Sequence, residues 1–164
     1  MQPQGIDPPE HKVFRSLLAP LFTPTAVRKL MPELHKRSVE LIEPLIAKGR
    51  CDFITEYAER FPTAVFLHIM GLPEERLPDF LRMANTFFRS ADDAERAANV
   101  QEIYAELEIL FRHKERNPAD DIATVIVNAR DKDGKQHNWQ DILDCGFLLF
   151  VAGLDDLPGI LRTT

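Results

Sequence analysis

The chain has 164 residues, 45% of them hydrophobic and 28% charged, which is enough for one domain with a real core. A formal net charge of -6 argues against nucleic acid as the main partner, no stretch is long and apolar enough to span a membrane, and no signal peptide is recognisable, so the cytoplasm is the expected compartment. Cys51 and Cys145 lack CxxC or Cys/His metal spacing; buried free thiols are expected, and no metal site.

In chain order, Asp7-Pro8-Pro9-Glu10 reads as a helix entry, with Asp7 as cap and Glu10 completing a capping box. Phe14, Leu17, Leu18 and Leu21 then form an apolar stripe, His11 and Arg15 stand four apart on a neighbouring face, and Pro20 ends or bends the helix. Thr23-Pro24 opens a second helix that Gly49 stops. Its spacing turns Val27, Leu30, Met31, Leu34, Val39, Leu41, Ile42, Leu45 and Ile46 inward and leaves a basic outer face of Arg28, Lys29, Lys36 and Arg37. Cys51-Asp52-Phe53 is a short extended link to a helix from Thr55 through Tyr57, Phe61, Val65, Phe66 and Met70 to Gly71, interrupted by Pro62. Pro73-Glu74-Glu75 opens a helix carrying Leu77, Phe80, Leu81, Ala84, Phe87 and Phe88. Beyond the Ser90 to Asp93 turn, a long amphipathic helix runs from Ala94 to about Arg116. Ile122 to Ala129 is a short helix, Asp133-Gly134 a hairpin-type turn, and Asn138 the cap of the last helix.

That last helix organises the rest. From Ile142 it is nearly all apolar until Asp155 and Asp156, so the two carboxylates are expected to enter a dry interior. Leu148, Val151, Ala152 and Asp155 share a stripe, with Asp156 at its edge. Ala152 and Gly153 leave the stripe bare of bulk, which suits close approach of a flat ligand. The fold class is therefore all-α, mainly helical, with about seven helices in a single domain over 1–164. A Gly-rich phosphate loop, GxSxG, HExxH and paired ExxH motifs are all absent.

The order of these landmarks resembles the bacterial cytochrome P-450 family, the haem-thiolate monooxygenases, and in particular its camphor-hydroxylase-like branch. Asp7 to Arg15 is similar to the family's helix C, Phe61-Pro62 through Gly71-Leu72-Pro73 to the end of helix E, and Phe150-Val151-Ala152-Gly153-Leu154-Asp155 to the oxygen-binding helix I. The resemblance covers essentially the whole chain to Asp155. It implies a partial P-450 fold without the N-terminal sheet region and the C-terminal haem-ligand region, and haem as cofactor.

Residue by residue, the resemblance implies that His11 and Arg15 meet haem propionates, where spacing alone would read an exposed basic pair. It implies that Ala152 and Gly153 lie at the cofactor, the glycine where the helix opens for dioxygen; a small residue for close helix packing is the alternative. Leu148, Val151, Phe87 and Phe88 match a substrate pocket, or ordinary core. Asp155 matches the acid that delivers protons during dioxygen activation, or a carboxylate tied to a neighbouring cation. Lys12 matches the surface where a ferredoxin-type donor docks. Asp156 departs from the pattern, since the family usually has threonine there, and Pro158 and Gly159 depart further, in the manner of a truncation or altered reading frame. The Phe-x-x-Gly-x-x-x-Cys-x-Gly iron-ligand segment and the Glu-x-x-Arg pair do not occur in the chain. The implied activity is hydroxylation of a small apolar molecule with dioxygen and two electrons, the fragment alone being inactive. A non-catalytic helical module for a protein partner or lipophilic ligand is the alternative.

Overall fold

The structure is a computed structural model that describes Arg15, residues 18–130 and residues 133–162, with the side chains of Pro20 and of 155–162 outside that description. Among the described residues it is helical with no strand: α1 Pro24–Lys48, α2 Arg60–Met70, α3 Leu77–Arg89, α4 Asp93–Arg116, α5 Ile122–Asn128 and α6 Trp139–Arg162. Shorter helical turns lie at Ala19–Phe22, Ile54–Ala58 and Glu74–Arg76. The all-α expectation holds. The helix expected from Asp7 falls largely outside the described residues, although Arg15 and Leu18 are helical.

Local chemistry explains most boundaries. The Thr23 hydroxyl accepts from the Ala26 amide to start α1, and Gly49 ends it at φ 72°, a left-handed conformation that glycine adopts without Cβ strain. Phe53, expected to be extended, is already helical, because Asp52 Oδ1 accepts from the Ile54 and Thr55 amides and caps that turn. The helix expected from Thr55 is split, and α2 restarts at Arg60. Pro62 thereby falls in its first turn, where a missing N–H costs little. The Asp133-Gly134 turn is bracketed by an antiparallel bridge between Arg130 and Gln136, as its sequence suggests.

Helix α6 forms the centre. Ile142, Cys145, Phe147 and Phe150 are fully enclosed, and Phe150 meets Phe66 of α2 edge-on at 5.7 Å and Phe80 of α3 at 6.2 Å. Gly146 lets α4 approach: a Cβ there would stand 2.7 Å from the Phe111 ring.

The expected inward face of α1 is corrected. Val27, Met31 and Ile46 are 42%, 55% and 72% exposed, Val39 is exposed too, and no α1 residue is buried. The helix lies on α2 and the short turns along one narrow strip, which Leu30, Leu34, Leu41, Ile42 and Leu45 half-cover. Arg37 is not on an outer basic face either. It inserts between Glu33, 2.8 Å away, Glu40 and Glu74, tying α1 to the Glu74–Arg76 turn.

One buried ion pair had no sequence signal. Lys114 at the end of α4 donates to Asp121 Oδ2 at 2.5 Å, and both side chains are under a tenth exposed. Gly71, at φ 65°, lies directly over the pair, so close that a Cβ would overlap the Asp121 carboxylate. Burial alone would raise the Asp121 pKa, but hydrogen bonds from Lys114 and Thr124 outweigh it and hold the carboxyl below its usual value. A depressed carboxylate stabilises the fold above the unfolded pKa near 4 and loses that contribution as pH falls through the lower folded value. Lys114→Met is therefore expected to cost about 3–5 kcal/mol at neutral pH in urea unfolding, because it strands the Asp121 charge. The loss should shrink once acid protonates that carboxylate. An unfolding midpoint unchanged by the substitution would contradict the pairing.

Candidate functional site

On α6 enclosure is interrupted at Ala152 and Gly153 and resumes at Leu154, which is 5% exposed. Residues 142–147 and Leu149 and Phe150 are buried, Leu148 and Val151 are half-buried, and Ala152 and Gly153 are exposed. The helix thus presents a flat, nearly side-chain-free face beside apolar neighbours. A cavity of about 280 Å³ opens there, bounded by Leu34 of α1, by Phe61, Val65 and Ile69 of α2, and by Leu149, Ala152 and Gly153. Among the described residues, an added Cβ at Gly153 would meet nothing nearer than the Phe66 ring at 4.0 Å. The α6 backbone remains helical past Pro158 to Arg162. The Asp155 and Asp156 side chains, with their expected dry setting, lie outside the described residues, as do His11 and Lys12. Arg15 is helical and exposed.

Phe87 and Phe88 stand near the end of α3, half-buried and edge-to-face at 5.0 Å. Phe87 reaches α6 at Phe147, with ring centroids 5.6 Å apart, one residue before Leu148. Phe87 thus packs on α6 at Phe147, while Phe87, Phe88, Leu148 and Val151 are not among the residues that line the cavity at Ala152 and Gly153.

A third carboxylate was passed over in reading this helix as apolar until Asp155. Asp144 is only 5% exposed, and its Oδ1 accepts from the Tyr104 hydroxyl of α4 and the Gln140 amide, each at 2.8 Å. Burial, and then the Asp144 carboxylate, push the Tyr104 pKa well above the ordinary phenol range. The signal was available, since Asp144 stands four residues before Leu148 on the same stripe.

No family model matches the chain. It is similar to the probable cytochrome P450 127A1 of Sinorhizobium fredii, 33% identical over 161 residues, covering 97% of this chain and 38% of that protein. Cytochrome P450 130 of Mycobacterium tuberculosis is 32% identical over 160 residues, covering 94% and 40%. The solved structure of the mixed-function P450 MycG superposes with a TM-score of 0.85 at 26% identity, covering 96% of this chain and 41% of that one. The chain is similar to bacterial cytochrome P450s over more than nine tenths of its own length. It spans about two fifths of the length of the curated relatives it matches.

Haem is the cofactor that similarity to cytochrome P450s implies, and the uncovered Ala152-Gly153 face of α6 fits it. A flat macrocycle needs a wall with little side-chain relief, and Ala152 and Gly153 provide one in an apolar setting. The cysteines do not supply its thiolate. Cys145 is buried within α6, where burial above all, with Asp141 and Asp144, pushes its thiol pKa up to about 12. Cys51 is exposed rather than buried as expected, because it follows the Gly49 cap in a connection lying on the surface. Among the described residues no group of three or more His, Cys, Asp or Glu could hold a metal ion.

These environments are separable in solution. Iodoacetamide at pH 8 is expected to modify Cys51 rapidly and Cys145 only after denaturation, read by mass spectrometry of the native chain. Rapid labelling at Cys145 would contradict the enclosure of α6.

Proposed function

We propose that this chain is the middle helical section, a single domain over 1–164, of a haem-thiolate monooxygenase. The complete enzyme hydroxylates a small apolar molecule with dioxygen and two electrons from a ferredoxin-type donor. The observation that carries this reading is the exposed Ala152-Gly153 pair, set between the buried Phe150 and Leu154 of α6 and next to the half-buried Leu148 and Val151. The mycinamicin IV hydroxylase/epoxidase of Micromonospora griseorubida, 28% identical and covered over 38% of its length, supports oxygen insertion into carbon skeletons. Such relatives point to the family at large rather than to the camphor-hydroxylase-like branch.

In this reading Ala152 and Gly153 lie against the macrocycle, and His11 and Arg15 hold its propionates. When bound, haem supplies the activation of dioxygen. The chain's own residues do the rest. Phe87, Phe88, Leu148 and Val151 bound an apolar pocket that orients the substrate and excludes water. The Asp155 carboxyl passes protons toward the oxygen side of α6. Asp156 replaces the family's hydroxyl with a group that, when ionised, only accepts hydrogen bonds, so Asp156→Thr in a complete enzyme would raise the share of electrons recovered in product. Lys12 contributes to the docking surface for the electron donor. No described helix is long and apolar enough to cross a membrane, and the cytoplasm is the proposed compartment.

Haem titration tests the face directly. The chain is expected to take up haem, with Gly153→Phe abolishing saturable binding and Arg15→Ala weakening it by about tenfold, the effect of losing one charged hydrogen bond. Reduced and treated with carbon monoxide, the haem-loaded chain should lack the long-wavelength band of thiolate ligation, since neither cysteine lies in an iron-ligand segment. Uptake indifferent to both substitutions would favour a non-catalytic helical module. A thiolate band abolished by Cys51→Ser or Cys145→Ser would overturn the claim that the ligand lies elsewhere.

A further inference from the structure

Between α4 and α6, besides the Arg112 guanidinium 3.6 Å over the Trp139 ring near the start of α6, the described residues show a hydrogen bond in an apolar setting. The Tyr104 hydroxyl donates to Asp144 Oδ1 at 2.8 Å, and the Tyr104 ring stacks on Phe147 at 4.9 Å with planes only 3° apart. Phe147 is in turn met edge-on by Phe87 at 5.6 Å. Phe147 is thus held between a ring fixed by a hydrogen bond and a ring at the pocket wall.

Apolar contacts alone leave a ring free to tilt among packings of similar energy, whereas a hydrogen bond has a preferred length and angle. A tyrosine–carboxylate bond of this kind, with Asp144 buried and Tyr104 half-buried, gives little net stability, because the groups forfeit hydration. What it adds over a phenylalanine–leucine pair is a defined orientation for Tyr104, and the parallel stack passes that orientation to Phe147. Close approach of the two helices at Gly146, against the Phe111 ring, fixes the distance over which the contact operates.

We propose that Tyr104 and Asp144 are positioning residues for the substrate wall: their hydrogen bond orients Phe147 and, through it, sets the Phe87 ring against α6. The proposal rests on the reading of Phe87 and Leu148 as pocket residues given above. Neither Tyr104 nor Asp144 is placed in contact with substrate, so their effect is on fit and on the direction in which an apolar molecule is presented.

The test uses the chain with 13C-labelled phenylalanine rings and methyl groups, with hexafluorobenzene as a neutral apolar probe. In the parent chain the probe is expected to move the Phe87 and Leu148 resonances. Tyr104→Phe, which keeps the ring, and Asp144→Leu should each shift the Phe87 signals of the free chain and weaken probe binding roughly two- to tenfold, the range of one net hydrogen bond. Asp144→Asn, which keeps an acceptor, should restore the parent spectrum and affinity. A purely structural role would lower the unfolding midpoint without this pattern of loss and rescue. If Asp144→Leu does not fold, Tyr104→Phe decides alone. Phe87 signals and probe affinity unchanged in a folded Tyr104→Phe chain would overturn the positioning role. A probe that never perturbs Phe87 or Leu148 in the parent chain would instead overturn the pocket assignment on which it rests.

Discussion

The structure depends on the enclosure of one apolar helix. Residues 142–150 of α6 are covered by α2, α3 and α4, and the contact at the centre is aromatic: Phe150 touches Phe66, Phe80 and Phe147. Burying each such ring is worth about 1.5–3 kcal/mol, and edge-to-face geometry adds roughly another 0.5–1.5 kcal/mol per pair. Covering helices converge on the large side chains and have nothing to grip at Ala152 and Gly153. The same sequence that makes α6 a core helix therefore leaves Ala152 and Gly153 uncovered between the buried Phe150 and Leu154. Scaffold and candidate site are two consequences of one distribution of side-chain size.

Among the described residues, three polar contacts inside this framework sit at junctions between helices. Lys114 and Asp121 join the end of α4 to the start of α5 beneath Gly71. Tyr104 and Asp144 join α4 to α6. Asn99 of α4 donates from Nδ2 to the Met83 carbonyl of α3 at 2.8 Å, leaving its buried Oδ1 without a protein donor. Buried polar pairs contribute less to stability than equivalent apolar packing and more to the choice of one arrangement over its neighbours. All three bear on α4, the helix that bridges the pocket-lining α3 to α6.

Much of this was legible in the sequence because it is local. Proline, glycine and capping signals locate the ends of α1, α3, α4 and α5 to within a few residues, and the size pattern at 148–153 marks the open face of α6. What escaped depends on distant partners. Hydrophobic spacing says that α1 has an apolar side but not that α2 covers only a strip of it, so Val27, Met31 and Ile46 were read inward and are exposed. Arg37 looked like surface charge until Glu74 arrived from another segment. Cys51 was read as buried from its neighbours, yet it follows a helix cap on the surface. Asp144 was overlooked because a single carboxylate in an apolar run carries little weight until Tyr104 is seen to meet it.

The claim on which the rest turns is that the Ala152-Gly153 face of α6 is a surface for a flat prosthetic group. Amide hydrogen exchange of the chain with and without stoichiometric haem tests it most directly. Exchange should slow on haem addition at residues 148–154 of α6 and at 61–69 of α2, which share the apolar cavity, while α5 is unchanged. Protection confined to segments around His35, His68 or His113, with residues 148–154 exchanging as before, would contradict it and assign haem to a fortuitous imidazole instead.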